Sequence, residues 1–517
     1  MKKLLIVPVI LASAGSIQAW NTSPQKNLLL SGESSGQDLP MAAPGPDEST
    51  FVAWLSWEDE SAALKMQLVD KDGEPQLGEN GIYVSQYPTP TWSSGYDIDS
   101  DAEGNAYIVY SDKRNGVWQA YVYKMGPDGE KKWGEGVPVA ELSAESCLNP
   151  KLLHTDAGNI IVAYQSLVGL RNTIKITKLT GDGAKAWGGV IELPGTNGLY
   201  TLAGAGDDSF YVAYVQADAG NMAVMRYTAN GEAAWDAPAI VDQGRAVVSS
   251  EPEAVSYTDG GVVLCWRHAE NITKVVGAVQ AVSREGNLLW SEPQFYSAPH
   301  VAAISPDGNI YVAYSFTDAY GTNMSVSRYN SDGEYAWDSP LLLDGSSYQV
   351  SIYGVQVIAD GRELAVVYRN ASDFNRATIE YSHLDSNGEV LDTQVPVSTM
   401  QGDKGRGALT YAGGRQMVLT WGDNGMSNGK GSVYAQNIVL PEPASLTTAV
   451  AGSESLQALY SGGELMVNRR GNAAVLDCNG RLLYCGIVTD GTISLPGLAA
   501  GVYVINIDGQ SAKFTVL

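Results

Sequence analysis

The chain has 517 residues, of which only 17% are charged, and a formal charge of −25 from 57 acidic against 32 basic side chains. This acidity argues against a nucleic-acid-binding protein, because such a surface needs a basic patch to displace counterions from phosphates. The hydrophobic fraction of 44% is ample for a core and excludes wholesale disorder. The 57 Gly, 28 Tyr and 12 Trp residues are typical of strands and turns rather than of helices.

The N-terminus has the pattern of a secretory signal peptide. Two lysines precede an apolar run that ends at Ala12, and small residues follow up to Ala19. Cleavage fits after Ala14 or after Ala19, and residues 1–19 are taken as the signal peptide. The run is shorter than the ~20 apolar residues that span a bilayer. We therefore expect an exported protein, secreted or at the outer cell surface, without a transmembrane segment.

An internal repeat runs through most of the chain. A short strand ending in an aromatic residue recurs every 48 to 56 residues, with its marks at Trp54, Tyr110, Tyr164, Tyr214, Trp266, Tyr314, Tyr368 and Trp421. A Gly turn follows each of the first seven marks, at Asp72-Gly73, Asp128-Gly129, Asp182-Gly183, Asn230-Gly231, Glu285-Gly286, Asp332-Gly333 and Asn387-Gly388. Such dipeptides predict tight hairpins, for which we expect type I′ turns with φ > 0 at both central residues.

The repeat predicts four strands per unit, which at this period is typical of a β-propeller. A Trp follows five of the turns and leads into the fourth strand, at Trp133, Trp187, Trp235, Trp290 and Trp337. The eighth repeat stops after its third strand, whereas the N-terminal segment begins with Trp20 and soon reaches three leucines at 28–30. We expect this segment to complete the eighth sheet, which hides two sheet edges. The prediction is an all-β, eight-bladed propeller over residues 20–440, with seven blades as the alternative.

The second repeat contains a motif that resembles a family of secreted bacterial propellers. The motif runs from Asp-Lys-Arg-Asn-Gly at 112–116 through Tyr-Val-Tyr at 121–123 to Trp133, and Val-Tyr-Ala-Gln at 433–436 is a further fragment of it. The resemblance covers roughly residues 20–440. It implies the propeller fold and no single enzymatic activity.

The C-terminal residues form a separate domain in this interpretation. A polar stretch of small residues predicts a linker over 441–454, and short strands with an Asn-Gly hairpin at 479–480 follow over 455–517. The segment 475–484 and Gly-Val-Tyr at 501–503 resemble the type A C-terminal sorting domain of type IX secretion. The resemblance implies a small Ig-like β-sandwich, contact with the type IX secretion machinery, and release or attachment at the cell surface. A β-sandwich without a sorting role is the alternative.

The sequence contains no motif that predicts catalysis or a resident metal, so we expect no catalytic residue and no cofactor. The four His are scattered through different repeats, and the four Cys show neither a CxxC pair nor a zinc spacing. The Asn-Gly turn would pair Cys485 with Ala474 rather than with Cys478, so mostly free or buried thiols are expected. The segment 99–104 begins like a calcium loop but lacks the twelfth ligand, and it predicts the first hairpin of the second repeat. A weak Ca²⁺ site stays open there.

The Trp residues divide into nine at repeat positions and three elsewhere. The three are Trp57, Trp92 and Trp118. In a propeller, the connections from second to third strand and from fourth strand to the next repeat emerge on one face, so these rings should meet there. Their expected neighbours are Tyr87, Arg114 and Tyr96. Aromatic platforms with polar neighbours suit sugar rings or protein partners, and the alternative is that the rings hold loops in place.

We therefore expect an exported, monomeric propeller that binds a glycan or an envelope or host protein, without catalysis. The alternative is a carbohydrate-active enzyme, a glycoside hydrolase or lyase, with acidic residues in the central channel. Such an enzyme needs two carboxyl groups at a defined separation, and 57 acidic residues leave too many pairs for the sequence to choose one.

Overall fold

A computed structural model describes the chain from residue 20 to 441 and from 456 to 516. The residues left out within these ranges are 22, 34, 59–60, 90–94, 142–144, 169–170, 248–249, 258, 272, 298–299, 319–320, 348, 359–360, 374–375, 424–430, 462, 478–480, 490 and 508–509. The predictions of a signal peptide over 1–19 and of a linker over 441–454 lie, apart from Pro441, outside the described residues. The chain divides into two units, Met1–Pro441 and Glu442–Leu517.

Unit 1 is built mainly from β-strands, and a short 3-10 turn lies at Pro46–Glu48. Its first strand is β1 (Leu28–Leu29). Sheet 1 contains β2 (Gly36–Pro44), β3 (Thr50–Glu58), β4 (Ser61–Val69) and β5 (Ile82–Thr89). Sheet 2 contains β6 (Tyr96–Ser100), β7 (Ala106–Asp112), β8 (Gln119–Met125) and β9 (Val137–Pro138). Sheet 3 contains β10 (Ser146–His154), β11 (Ile160–Val168), β12 (Arg171–Leu179) and β13 (Ile191–Pro194).

The remaining sheets of unit 1 follow the same order. Sheet 4 contains β14 (Thr196–Gly204), β15 (Phe210–Gln216), β16 (Asn221–Tyr227) and β17 (Ala239–Asp242). Sheet 5 contains β18 (Glu253–Ser256), β19 (Val262–Ala269), β20 (Val275–Val282) and β21 (Gln294–Tyr296). Sheet 6 contains β22 (His300–Ile304), β23 (Ile310–Asp318), β24 (Gly321–Tyr329) and β25 (Leu341–Ser347). Sheet 7 contains β26 (Gln349–Ile358), β27 (Glu363–Asp373), β28 (Arg376–Asp385) and β29 (Val390–Ser398), and sheet 8 contains β30 (Gly407–Gly413), β31 (Gln416–Asp423), β32 (Ser432–Val439) and β1.

The sheets of unit 1 close into a ring. Within each sheet the strands are antiparallel and, in sheets 1 to 7, follow chain order. The first strand of each sheet contacts the first strand of the next, from β2 and β6 round to β26 and β30, and β30 contacts β2. The first strands therefore surround the centre and the fourth strands lie outermost, which is the repeat architecture of a β-propeller.

The N-terminal segment closes this ring, as the sequence predicts. β1 pairs antiparallel with β32, with Leu28 opposite Ala435 and Leu29 opposite Tyr434. Leu28 and Leu30 are buried, and the Leu30 N–H donates to the Val433 carbonyl at 2.9 Å. The prediction that the fourth strand of the last sheet comes from the N-terminus is confirmed.

The Trp and the turn Gly that recur in the repeat contact each other between neighbouring sheets. Trp290 of sheet 5 donates its Nε1–H to the Ser331 carbonyl of sheet 6 at 3.2 Å. A Cβ added at Gly333, two residues further along, would lie 2.5 Å from the Trp290 ring. The same contact is formed by Trp20 with Gly73, Trp133 with Gly183, Trp187 with Gly231, Trp235 with Gly286 and Trp337 with Gly388. We call these six contacts the Trp–Gly latches.

The turn geometry differs from the expectation. The Gly73 N–H donates to the Asp70 carbonyl at 3.0 Å, and the Asp70 N–H donates to the Glu74 carbonyl at 3.1 Å. Gly73 has a φ of 94°, but none of the seven residues that precede these turn glycines has a positive φ. The hairpins are type I turns followed by a left-handed Gly, so the prediction of type I′ turns is wrong. The Asp70 carboxylate stabilises the turn by accepting the Glu74 N–H at 2.8 Å.

Unit 2 consists of two antiparallel sheets. Its strands are β33 (Ala458–Ser461), β34 (Glu464–Val467), β35 (Gly471–Asp477), β36 (Leu482–Val488), β37 (Thr492–Ser494), β38 (Gly501–Ile507) and β39 (Gln510–Val516). One sheet has the order β33-β34-β37 and the other β36-β35-β38-β39. Leu465 and Ile493 from the first sheet share a buried core with Val475, Ile505 and Phe514 from the second.

The cysteines agree with the expectation as far as they are described. Cys147 and Cys265 are buried free thiols, and burial raises the pKa of Cys147 to about 12. Cys485 is an exposed free thiol that lies opposite Ala474, which confirms the predicted register of this hairpin. Cys478 lies outside the described residues. In the described ranges, no helix has the length and apolar character needed to cross a membrane.

Candidate functional site

Arg114 lies at the centre of an aromatic and polar group between sheets 1 and 2. It sits in the connection from β7 to β8, and its guanidinium carbon lies 4.0 Å from the ring centroid of Tyr87 and 3.6 Å from that of Tyr121. Tyr87 belongs to β5 and is 37% exposed, while Tyr121 belongs to β8 and is buried. Two of the six predicted site residues, Tyr87 and Arg114, are therefore in direct contact.

The charge of Arg114 is neutralised by a partner within the protein. Its Nε and Nη2 donate to the two carboxylate oxygens of Asp112 at 3.0 and 2.7 Å, and Nη1 donates to the Glu135 carbonyl at 2.7 Å. The Arg114 side chain is 10% exposed and that of Asp112 is fully buried. Burial disfavours the charged guanidinium, but Asp112 and the Tyr123 hydroxyl outweigh it, so the pKa of Arg114 is raised. Arg114 consequently holds the connection in shape and is not a free cation.

Trp118 ends the same connection and is covered by a lysine. The Lys113 ammonium lies 4.7 Å from the centroid of the Trp118 ring. Lys113 is exposed and Trp118 is partly buried. The Gly116 N–H donates to the Lys113 carbonyl at 2.9 Å, and the Cys147 N–H donates to the Trp118 carbonyl at 3.0 Å. Both ends of the connection are therefore anchored, and the lysine and indole are presented together.

We call Tyr87, Lys113, Arg114, Trp118 and Tyr121 the aromatic-basic cluster. Sequence reasoning missed Lys113 and Tyr121 as site residues, although both belong to the motif at 112–123. Alternation along a strand places Tyr121 and Tyr123 on one face of β8, where the arginine of the preceding turn reaches both. The alternating tyrosines after a turn that contains an arginine were the sequence signal that could have identified this site.

The remaining predicted residues do not join this cluster in the described structure. Trp57 is partly buried and packs against the hydrophobic core shared by sheets 1 and 2, which agrees with a structural role. Trp92 lies outside the described residues, so its position stays a prediction.

The placement of Tyr96 on the ligand-facing surface is wrong. Its ring is buried, and its hydroxyl donates to the carbonyls of Leu39 at 2.5 Å and Ala53 at 2.8 Å. Leu39 has a φ of 54° within a bulge of β2, and Tyr96 satisfies the carbonyl that the bulge leaves unpaired. In the same way, the Tyr200 hydroxyl donates to the Asn149 carbonyl at 2.6 Å, and Asn149 has a φ of 45°. Tyr96 is therefore one member of a recurring structural device.

The acidic residues of the central strands form links between sheets. Glu251, which precedes β18, accepts the Asn149 amide at 2.7 Å and lies 3.2 Å from the Lys151 ammonium, both on β10. Asp97 of β6 accepts the backbone N–H of Leu152 at 3.0 Å. These contacts connect sheets 2, 3 and 5 around the centre. The carboxylates of Glu251 and Asp97 therefore have structural partners, and these contacts identify no acid–base pair for catalysis.

Replacing Asp97 by Asn should change the pH dependence of stability. Burial raises the pKa of Asp97 from 3.8 to about 6, with Lys151 offsetting part of the effect. Because the folded state holds this proton more tightly than the unfolded state, its stabilising contribution is complete below pH 3.8 and is lost as the pH rises through about 6. Asp97→Asn should therefore gain stability relative to the wild type, on the order of 2 kcal/mol, between pH 4 and pH 7.

Melting temperatures of both proteins at several pH values test this expectation. Asp128→Asn, at an exposed turn position, is the control and should show no such trend. A melting-temperature difference between Asp97→Asn and wild type that is constant with pH would contradict the assigned cause.

The candidate calcium segment is the hairpin between β6 and β7, as predicted. Asp101 accepts the Asn105 N–H at 2.8 Å through Oδ1 and the Tyr107 hydroxyl at 3.0 Å through Oδ2. Its oxygens thus have donors from the chain itself. Within the part of the chain that is described, no group of three or more His, Cys, Asp or Glu side chains is placed to hold a metal ion.

Comparisons with known proteins identify no family for this chain. No protein-family profile matches the sequence, and no curated protein is similar to it. The polysaccharide lyase Uly1 is 10% identical, with 82% of this chain and 94% of that chain covered and a TM-score of 0.41. Sqt1 of Chaetomium thermophilum, bound to the N-terminus of ribosomal protein L10, is 13% identical, with coverages of 80% and 100% and a TM-score of 0.45. The WD40 domain of SCAP from fission yeast is 10% identical, with coverages of 78% and 92% and a TM-score of 0.42. None of these similarities assigns a ligand or an activity to this chain.

Proposed function

We propose that this chain is an exported eight-bladed β-propeller that binds a glycan through the aromatic-basic cluster, without catalysis. Eight four-stranded sheets that close through β1 support the blade count. The two sheets of unit 2 around one core support an Ig-like sandwich. The signal-peptide pattern and the resemblance of the tail to a sorting domain support export to the cell surface, with the type IX machinery as a transient partner.

The observation that carries the proposal is the arrangement around Trp118. The Trp118 indole lies in the connection from β7 to β8, the half-exposed Tyr87 lies in the last part of β5, and an internal ion pair anchors the loop beside them. Sugar rings present apolar C–H faces beside hydroxyl groups, so they bind where aromatic rings adjoin hydrogen-bonding side chains. Asn115, exposed in the same loop, supplies such a group, and its amide donates to the Tyr121 hydroxyl at 2.7 Å. A rigid loop with these side chains suits binding better than turnover.

Screening the purified chain against an array of oligosaccharides tests the proposal. We expect Trp118→Ala and Tyr87→Ala each to weaken binding by about 3- to 10-fold, because one aromatic contact contributes about that much. Tyr335→Ala is the matched control, since Tyr335 is 52% exposed in the hairpin between β24 and β25, on the opposite face. Equal losses for all three variants would contradict the assigned site.

The same preparation distinguishes the alternatives. Binding to an envelope or host protein with no binding to any glycan would replace the ligand class. Release of new reducing ends or of unsaturated sugars from a polysaccharide, abolished by Glu253→Gln, would replace binding by catalysis. Desolvation of its carboxyl by the surrounding protein raises the pKa of Glu253, with Lys151 offsetting part of the effect, which makes it the central-strand acid to change first.

A further inference from the structure

The aromatic-basic cluster contains two basic side chains, and among the described residues only Arg114 forms an ion pair. Arg114 is neutralised by Asp112, which is itself fully buried. Lys113 is exposed, and no ion pair of its ammonium is found among the described residues. The connection 113–118 therefore offers a single positive charge at its surface, on a protein whose formal charge is −25.

The contact between the Lys113 ammonium and the Trp118 indole is weak. A cation–π contact at an exposed site is worth roughly a 2- to 5-fold preference, and an ion pair at an exposed site is worth about as much. The ring therefore does not hold the Lys113 ammonium firmly, and the ammonium is free to turn toward an anion that arrives beside Trp118. The movement has a second consequence, because it uncovers the face of the Trp118 indole for a sugar ring.

The overall charge makes this local effect selective. A protein of charge −25 repels polyanions as a whole, so non-specific attraction does not bring an acidic polymer to its surface. Binding of such a polymer requires a specific cation together with a surface for stacking. Lys113 and Trp118 supply both within one loop.

We propose that the aromatic-basic cluster recognises an acidic sugar residue, one that carries a carboxylate or a sulfate ester. Lys113 is the charged contact and the Trp118 ring is the stacking surface. This inference rests on the proposed glycan-binding function and names the class of glycan. The carboxylate and the sulfate share the chemistry that the ammonium recognises, and the choice of probe separates them.

Titration calorimetry with two matched pairs of oligosaccharides tests the inference. The pairs are oligogalacturonate with its methyl ester, and sulfated dextran oligomers with unsulfated ones. We expect about 3- to 5-fold tighter binding of the acidic member of one pair, and weaker binding as salt is raised. Lys113→Ala should lose about 3- to 5-fold for the acidic ligand and little for the neutral one, whereas Lys113→Arg should keep most of the affinity. Lys185→Ala, an exposed lysine in the hairpin between β12 and β13, is the control and should bind as the wild type does.

Each outcome decides a separate claim. Preference for oligogalacturonate identifies the carboxylate, and preference for the sulfated dextran identifies the sulfate. Equal binding of acidic and neutral members, or an acidic preference that Lys113→Ala leaves intact, overturns this inference and leaves the glycan-binding function standing. Absence of binding to every oligosaccharide overturns the proposed function itself.

Discussion

Replacing Gly333 by Ala should destabilise unit 1 by about 3 kcal/mol, the sum of a backbone term and a packing term. Gly333 has a φ of 78°, where an L-residue costs about 1 kcal/mol or more. The added Cβ would also lie 2.5 Å from the Trp290 ring, and that ring is buried and hydrogen-bonded to Ser331. Because the indole is held at both its face and its Nε1–H, one of the two sheets must shift to accept the methyl group.

Gly158 provides a matched control for the backbone term. It occupies the same kind of turn, with a φ of 76° and its N–H donating to the Thr155 carbonyl at 2.8 Å. A Cβ at this position would meet nothing within 4 Å. Gly158→Ala should therefore lose only about 1 kcal/mol. Thermal and urea unfolding of both variants, followed by Trp fluorescence, measures the difference, and equal losses would show that the latch does not constrain the sheets.

The sequence predicts the repeat well because its signals are local. The aromatic marks lie within the buried second strands, which continue two to five residues beyond them instead of ending there as the sequence predicts. The Gly positions fall in hairpins, since alternation and turn chemistry act over a few residues. The closing role of the N-terminus also follows from the sequence, because the last repeat lacks a fourth strand and Leu28 begins an apolar run that supplies one. The chain order and the repeat period are enough to predict these features.

The turn type was mispredicted because a dipeptide does not define a hairpin. Asp-Gly is compatible with type I′ turns and with a type I turn followed by a left-handed Gly, and the loop length decides between them. Here Asp70 begins the turn and accepts backbone N–H groups with its carboxylate, which fixes the longer loop. The informative position was the one two residues before the dipeptide, which carries Asp, Asn, Ser or Thr in six of the seven turns.

The candidate site was only partly predictable because contacts between repeats are not visible in one repeat. Subtracting the repeat identified Trp118 and its neighbours Arg114 and Tyr87, and the latter two are in contact. The same subtraction assigned Tyr96 to the surface, since its hydroxyl partner Leu39 lies in the preceding sheet. Burial of a tyrosine in a propeller depends on the bulge of the adjacent first strand, and a single sequence does not reveal that bulge.

Deleting residues 20–30 should have the largest effect on unit 1. The deletion removes β1, the buried side chains of Leu28 and Leu30, and the latch in which Trp20 donates its Nε1–H to the Lys71 carbonyl at 3.0 Å. Loss of two buried leucines alone costs about 5 kcal/mol. It also exposes the edge of β32, which is then free to pair with another chain. We expect a sharply lower melting temperature and concentration-dependent association, measured by calorimetry and light scattering.

A synthetic peptide of residues 20–31 should reverse this loss. An extended peptide that adds a strand to an exposed edge gains backbone hydrogen bonds and side-chain contacts at once, and this edge accepts the Leu30 N–H through Val433. The matched control is the same peptide with Leu28→Asp and Leu30→Asp, which keeps the backbone donors but cannot occupy the buried positions. Recovery of the melting temperature and of the monomer with the first peptide alone would show that side-chain burial closes the ring. A truncated chain that stays monomeric and melts as the full chain does would instead show that the ring is held shut without its N-terminal strand.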